Sequence, residues 1–231
     1  MPRVRTCATV NAMGLRDRAF AGIADQLRQP AGLPGRLVVR ILNRGNRAVV
    51  LAAVTATGLE AGQVGADIGF GGAVGLGPLL DRTGPDGHVH GIELSDTALS
   101  MARRHFSRHI AGTRLSLHAG DLADLPLPDA SVDAAITVNT VYFVQDAGRV
   151  FAELIRVVRP GGRVVIGVGD PAAMGAMPFT AHGFTLRPVD ELIALLRHVG
   201  FHDVRDERVG TDDRAFHLLV AERPLGGSPT R

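Results

Sequence analysis

Residues 64–77 read VGADIGFGGAVGLG: an apolar run reaches Asp67, and a loop of glycines (Gly69, Gly71, Gly72) then opens into a predicted helix. A strand that ends in glycines and turns into a helix lets a ligand press against bare backbone, since no Cβ intervenes. The helix N-terminus adds unpaired N–H groups and a partial positive charge. Working outward, short apolar runs alternate with helical stretches. Strands are predicted at 64–69, 88–94, 114–119, 132–138 and 163–168, and helices at 73–82, 96–109 and 146–158. Ser95 can cap the second of these helices, and Arg159-Pro160-Gly161-Gly162 ends the third. Such alternation predicts an α/β fold, a mostly parallel sheet with helices on both faces. A helix at 188–198 and two late strands, about 202–209 and 215–222, complete the pattern. The short connector between those strands predicts antiparallel pairing, a reversed strand at the end of the sheet.

The 231 residues carry a formal charge of +2, with a pI near 9.4. All the basic side chains are arginine, which reads as codon bias rather than a chosen property. Arginines barely outnumber acids, so nothing here calls for a nucleic-acid partner. Cys7 stands alone, which excludes an intrachain disulfide or a cysteine metal site and fits a reduced, cytoplasmic setting. No apolar stretch reaches the length of a membrane span, and the N-terminus lacks the layout of a secretory signal.

The glycine loop departs from the dinucleotide fingerprint G-x-G-x-x-G, because Val74 stands at the sixth place counted from Gly69. Asp67 would repel a pyrophosphate but can hold a cationic group; a capping role at the strand end is the alternative. Glu93 closes the next strand, where a carboxylate can accept from both hydroxyls of a ribose, and Leu94 can pack on a purine face. Gly120-Asp121-Leu122 follows the third strand; Asp121 could accept from an exocyclic amine while Leu122 covers the ring. All three acids fall at carboxyl ends of successive strands, where open parallel sheets bind ligands.

With these residues the chain resembles the class I S-adenosylmethionine (SAM)-dependent methyltransferases. DIGFGG at 67–72, Glu93, Gly120-Asp121, LPLPDASVDAAITVNTVYF at 125–143, RPGGRVVI at 159–166 and HVGF at 198–201 carry the resemblance. The nearest likeness is to the small-molecule branch that includes the quinone and sterol enzymes. What the resemblance implies is a Rossmann-like sheet of seven strands over 61–222, the last reversed, with SAM as cofactor. Gly69, Phe70 and Gly71 would line its methionine moiety, with Asp67 near the amino end. Glu93 would hold the ribose hydroxyls, and Gly120, Asp121 and Leu122 would meet the adenine with Leu94. Asn139 would face the methionine or the acceptor. Ala73 stands where such loops often carry a third glycine.

The function expected is in-line methyl transfer to a small, lipophilic or secondary-metabolite O- or C-nucleophile. A catalytically silent SAM-binding sensor or scaffold would carry the same cofactor residues, so that alternative stays open. A base is needed only where the acceptor carries a proton. His182 is the candidate, in the mixed segment 169–187 that reads as a substrate lid; an incidental loop histidine is the alternative and the commoner case. Tyr142 and Phe143 either line the acceptor pocket or serve as packing. His105 and His109 share a face at i, i+4 with no third ligand nearby, so they read as surface residues and no metal is expected. Residues 1–60 read as a helical cap and 223–231 as a loose tail. Within the cap, Arg36, Arg40, Arg44 and Arg47 oppose Leu37, Val38, Ile41 and Leu42. That pattern suits a cap over the cleft, a homodimer contact, or peripheral contact of 36–47 with an anionic membrane.

Overall fold

Each strand but one runs parallel to its predecessor, because a connection long enough to cross over precedes it: a helical one in most cases, and the helix-free segment 120–131 before the fourth strand. The computed structural model describes residues 15–28, 32–210 and 215–226, without the side chains of 15, 28 and 33–44. The elements begin with α1 (Leu15–Arg28), α2 (Gly32–Ala56), β1 (Val64–Ile68), α3 (Leu76–Thr83) and β2 (His88–Glu93). Next come α4 (Asp96–His105), α5 (Ser107–Ala111), β3 (Leu115–Ala119), β4 (Val132–Val138), α6 (Ala147–Val157) and β5 (Val158–Gly169). The chain continues through α7 (Pro171–Gly175), α8 (Val189–His198), β6 (His202–Val209) and β7 (Phe216–Glu222). Single 3-10 turns lie at Val141–Phe143 and Pro178–Ala181.

The seven strands form one sheet in the order β3-β2-β1-β4-β5-β7-β6, with β7 antiparallel to both its neighbours. This is the Rossmann-like sheet expected, with one correction. The reversed strand does not lie at the margin; β6 does. Burial explains the exchange. β7 is apolar and buried along its middle, whereas HDVRDERV of β6 exposes nearly every residue. A charged strand tolerates an unpaired edge; an apolar one does not.

Two apolar layers flank the sheet. On one face Ile68, Ile92, Phe151, Leu154, Leu192 and Leu196 join the strands to α6 and α8. On the other, Val49, Val50, Ala53 and Val54 of α2 meet Leu76, Leu79 and Leu80 of α3 and Leu99 of α4. The C-terminal half of α2 thus belongs to the sheet's own core, so packing does not break at residue 60. Of the expected basic stripe, the side chains through Arg44 lie outside the described residues, and Arg47 is exposed. None of the described helices is long and apolar enough to cross a membrane.

Local boundaries follow local chemistry. Ser95 caps α4, its hydroxyl accepting from the Ala98 N–H at 3.3 Å, and Asp146 caps α6 by accepting from Arg149 N–H at 3.0 Å. The helix expected over 96–109 breaks at Phe106, which leaves helical geometry and buries its ring. His105 and His109 therefore stand on two helices, each with its ring edge-on to Phe106, rather than on one face. Strand β5 starts five residues earlier than expected: β4 pairing jumps from Val132–Val158 to Ala134–Arg163, and Arg159–Gly162 form a bulge.

Candidate active site

Loop 69–75 is shaped by what would collide there. Gly69 has φ +72° and donates its N–H to Ile92 O at 2.8 Å, tying the loop to β2; a Cβ would strike the Thr140 methyl. At Gly75, the residue before α3, a Cβ would overlap the Asp67 carboxylate and lie 2.9 Å from Ile136 Cδ1. Ala73 occupies the left-handed region at φ +61°, which costs an L-residue about 1 kcal/mol.

Asp67 is 5% exposed. Burial, and then the nearby Glu93 carboxylate, push its pKa up to about 8. Glu93 acts as a strap: Oε2 accepts from Gly71 N–H at 2.7 Å, and Oε1 accepts from Leu94 and Ser95 N–H at 2.8 and 2.9 Å. One carboxylate so joins the glycine loop to the start of α4. Asp121 is exposed and forms a turn by accepting from Ala123 N–H at 2.8 Å. Gly120 lets Pro126 approach, since a Cβ would meet its Cδ at 2.7 Å. Leu94 is 44% exposed, a large apolar side chain left open. Asn139 holds φ +59°, with its side-chain Oδ1 accepting from the Tyr142 hydroxyl at 3.3 Å.

One cavity brings together Asp67, Gly69, Phe70, Gly71, Glu93, Leu94, Asp121, Leu122, Asn139 and Phe143. Its described lining holds three acids and no arginine or histidine, so its charge suits a cation. Gly120 does not itself line it; it sets the turn that presents Asp121. Tyr142 does not reach the lining either: it is buried, and its hydroxyl accepts from Gly169 N–H at the end of β5. Burial raises its pKa, so the phenol stays neutral. His182 ends the 178–181 turn, half-buried, its N–H donating to Phe179 O at 3.1 Å, also outside the lining. Phe143 is the member of the expected acceptor group that lines the cavity. Phe184 packs on it at 4.7 Å between centroids, and Phe179 packs on Phe184 at 5.7 Å.

Sequence reasoning offered a cap over the cleft but missed the residues through which it lines the cavity, Leu27 of α1 with Asn46 and Val50 of α2. A signal was there: Asn46 lies one turn before Val50 on the buried stripe of α2, a polar residue on an apolar face. Thr140, Val138 and Val144 were also missed; their apolar or small side chains look like ordinary strand and turn residues.

The methyltransferase-domain family matches residues 66–166. The arsenite methyltransferase of Halobacterium salinarum is 31% identical over 175 residues, which is 71% of this chain and 44% of that protein. The chain therefore spans less than half the length of that curated relative. A SAM-dependent methyltransferase from Aquifex aeolicus superposes with a TM-score of 0.64 at 18% identity, covering 87% of this chain and 97% of its own. The Haemonchus contortus phosphoethanolamine N-methyltransferase 2, solved with phosphomonomethylethanolamine and S-adenosylhomocysteine, gives 0.70 at 15% identity, covering 89% and 60%. Sheet order, acid-lined glycine cavity and these matches agree: the chain belongs to the class I SAM-dependent methyltransferases.

Proposed function

We propose that this chain transfers a methyl group from SAM to a small, uncharged, largely apolar acceptor through an oxygen or carbon nucleophile. The cavity lining carries the reading: three acids, no cation, and an apolar margin running from Leu122 and Phe143 toward Phe184. A phosphate-bearing acceptor would need a cation that the described lining lacks. An arsenic acceptor favours thiolates, and the sequence has only Cys7, outside the described residues.

In this reading the bound sulfonium supplies an electrophilic methyl group. Asp67 and the backbone of Gly69 to Gly71 hold the methionine end, and Glu93 receives a ribose hydroxyl with the one Oε2 lone pair that its three N–H donors leave. Asp121, Leu122 and Leu94 enclose the adenine. Asn139, fixed through Tyr142, turns its amide toward the reacting end. What the residues contribute is alignment and exclusion of water. The test is calorimetry with SAM and with NAD(P), then release of S-adenosylhomocysteine with apolar hydroxyl and activated-carbon acceptors beside phosphoethanolamine and arsenite. Cofactor binding with no turnover on any acceptor would favour the silent sensor.

A cation beside Asp67 stabilises its ionised form, so binding near neutral pH releases a proton. Affinity is expected to rise by up to about tenfold per pH unit toward pH 8 and then level off. The same group works against folding: its raised pKa keeps a proton that the unfolded chain loses above about 4, so its contribution to stability falls as pH rises from about 4 to about 8. Asp67→Asn should flatten both slopes, read by calorimetry in buffers of different ionisation enthalpy and by melting against pH.

With His182 outside the lining, its service as a base would require segment 171–186 to move inward. Transfer to an acceptor without a proton to lose needs no such motion. His182→Gln is therefore expected to keep the rate within about twofold; a loss of about 10²-fold or more would make it the base.

A further inference from the structure

The sheet face that carries Ile68 and Ile92 is covered by α6 and α8 on the β5 and β7 side. On β2 and β3 the same face presents His88, His90, Ser116 and His118, all half-buried, alternating with Val89, Leu115 and Leu117 of the opposite core. Parallel pairing fixes their spacing, with His90 beside Ser116 and Ile92 beside His118. The three imidazoles form a ladder, with ring centroids 4.6 Å apart for His88 and His90 and 5.3 Å for His90 and His118.

Nitrogen geometry is the decisive observation. His90 Nδ1 and His118 Nε2 are 3.2 Å apart. Two imidazole nitrogens at about 2.0–2.1 Å from one ion, at angles between square and tetrahedral, are separated by about 2.9–3.4 Å. An ion can therefore replace the proton the pair shares, without movement of either strand. His88 stands outside the pair. Its Nδ1 lies 2.8 Å from the Thr113 carbonyl, which can only accept, so Nδ1 carries the hydrogen, and its Nε2 accepts from the Ser116 hydroxyl at 3.0 Å. With both nitrogens so committed, the His88 ring packs on His90 and supports its position.

We propose that His90 and His118 bind one divalent transition-metal ion of the imidazole-preferring class, Zn²⁺ or Cu²⁺, with water in the remaining positions of its shell. The site uses no residue of the cavity lining and stands independently of the methyl-transfer reading. The cluster of His202, Asp203 and Glu222 is a poorer host. Two of its members are exposed, and the Glu222 carboxylate is already paired with Arg163.

The experiment titrates the untagged full chain with ZnCl₂ and CuCl₂ by calorimetry. One ion per chain is expected, with affinity reduced at least about tenfold in both His90→Ala and His118→Ala and unchanged in His105→Ala. Absence of uptake at millimolar metal, or uptake unaltered in both variants, overturns the proposal. Should a variant fail to fold, the Cu²⁺-loaded wild-type chain decides: pulsed electron paramagnetic resonance must show coupled imidazole nitrogens, and a spectrum without them also overturns it.

Discussion

Glu93→Ala is expected to weaken SAM binding by about 1–3 kcal/mol, the range for charge-assisted hydrogen bonds lost from a buried site. Two losses coincide. A ribose hydroxyl loses its acceptor, and the N–H groups of Gly71, Leu94 and Ser95 lose the carboxylate they now share. The unliganded protein should therefore also melt at a lower temperature. Glu93→Gln separates the effects: its carbonyl oxygen still serves some of those donors, while its NH₂ faces others. Stability should recover in part, and affinity should remain below wild type. Calorimetry beside thermal melting checks both, and an unchanged affinity in Glu93→Ala would falsify the ribose role.

Gly75→Val is the second large effect. The new side chain would overlap the Asp67 carboxylate and press on Ile136, so α3 must shift. A cost of about 2–3 kcal/mol in stability follows from overpacking at a buried contact. Cofactor binding should be lost, because Asp67 and the loop move with the helix. Gly77→Ala is the control. Beyond its chain neighbours, a Cβ there meets only Phe106 Cε1 at 4.0 Å, while Pro78, next in the chain, crowds it and offsets the entropy gained by removing a glycine, so stability should change by less than about 1 kcal/mol. The urea midpoint should fall clearly in Gly75→Val and stay near wild type in Gly77→Ala. Equal destabilisation would mean that helix propensity, not the Asp67 contact, governs this turn.

Much of the architecture was legible because its causes are local. Period-two apolar runs, the Ser95 cap and the glycines after β1 each act within a few residues, so β1 to β4 fall within a residue of their expected limits. The α4–α5 break was not legible. Phe106 continues a helical pattern, and it leaves that pattern only because the core beneath α4 accepts its ring. β6 and β7 show the same division: their antiparallel pairing follows from a short connector, whereas their order depends on which strand the rest of the sheet can bury.

The cavity divides likewise. Asp67, Glu93 and Asp121 announced themselves by falling at successive strand ends, and the structure lines one cavity with all three. Asn46, Val50 and Leu27 come from elements distant in sequence, where nothing marks a residue as facing a ligand. Tyr142 shows the converse, since a position near the site does not say which way a ring points; here the hydroxyl binds Gly169 N–H and the cavity is left to Phe143.

The sequence by itself determined the alternating fold, the glycine loop and the acids that select a cationic cofactor, because periodicity, backbone freedom and charge reside in the residues themselves. Only the tertiary structure decided that α2 roofs the cavity, that Glu93 straps the loop, that His182 and Tyr142 stay off the lining, and that three histidines meet on β2 and β3. Those relations are distances between segments far apart in the chain, and packing and strand register alone set them.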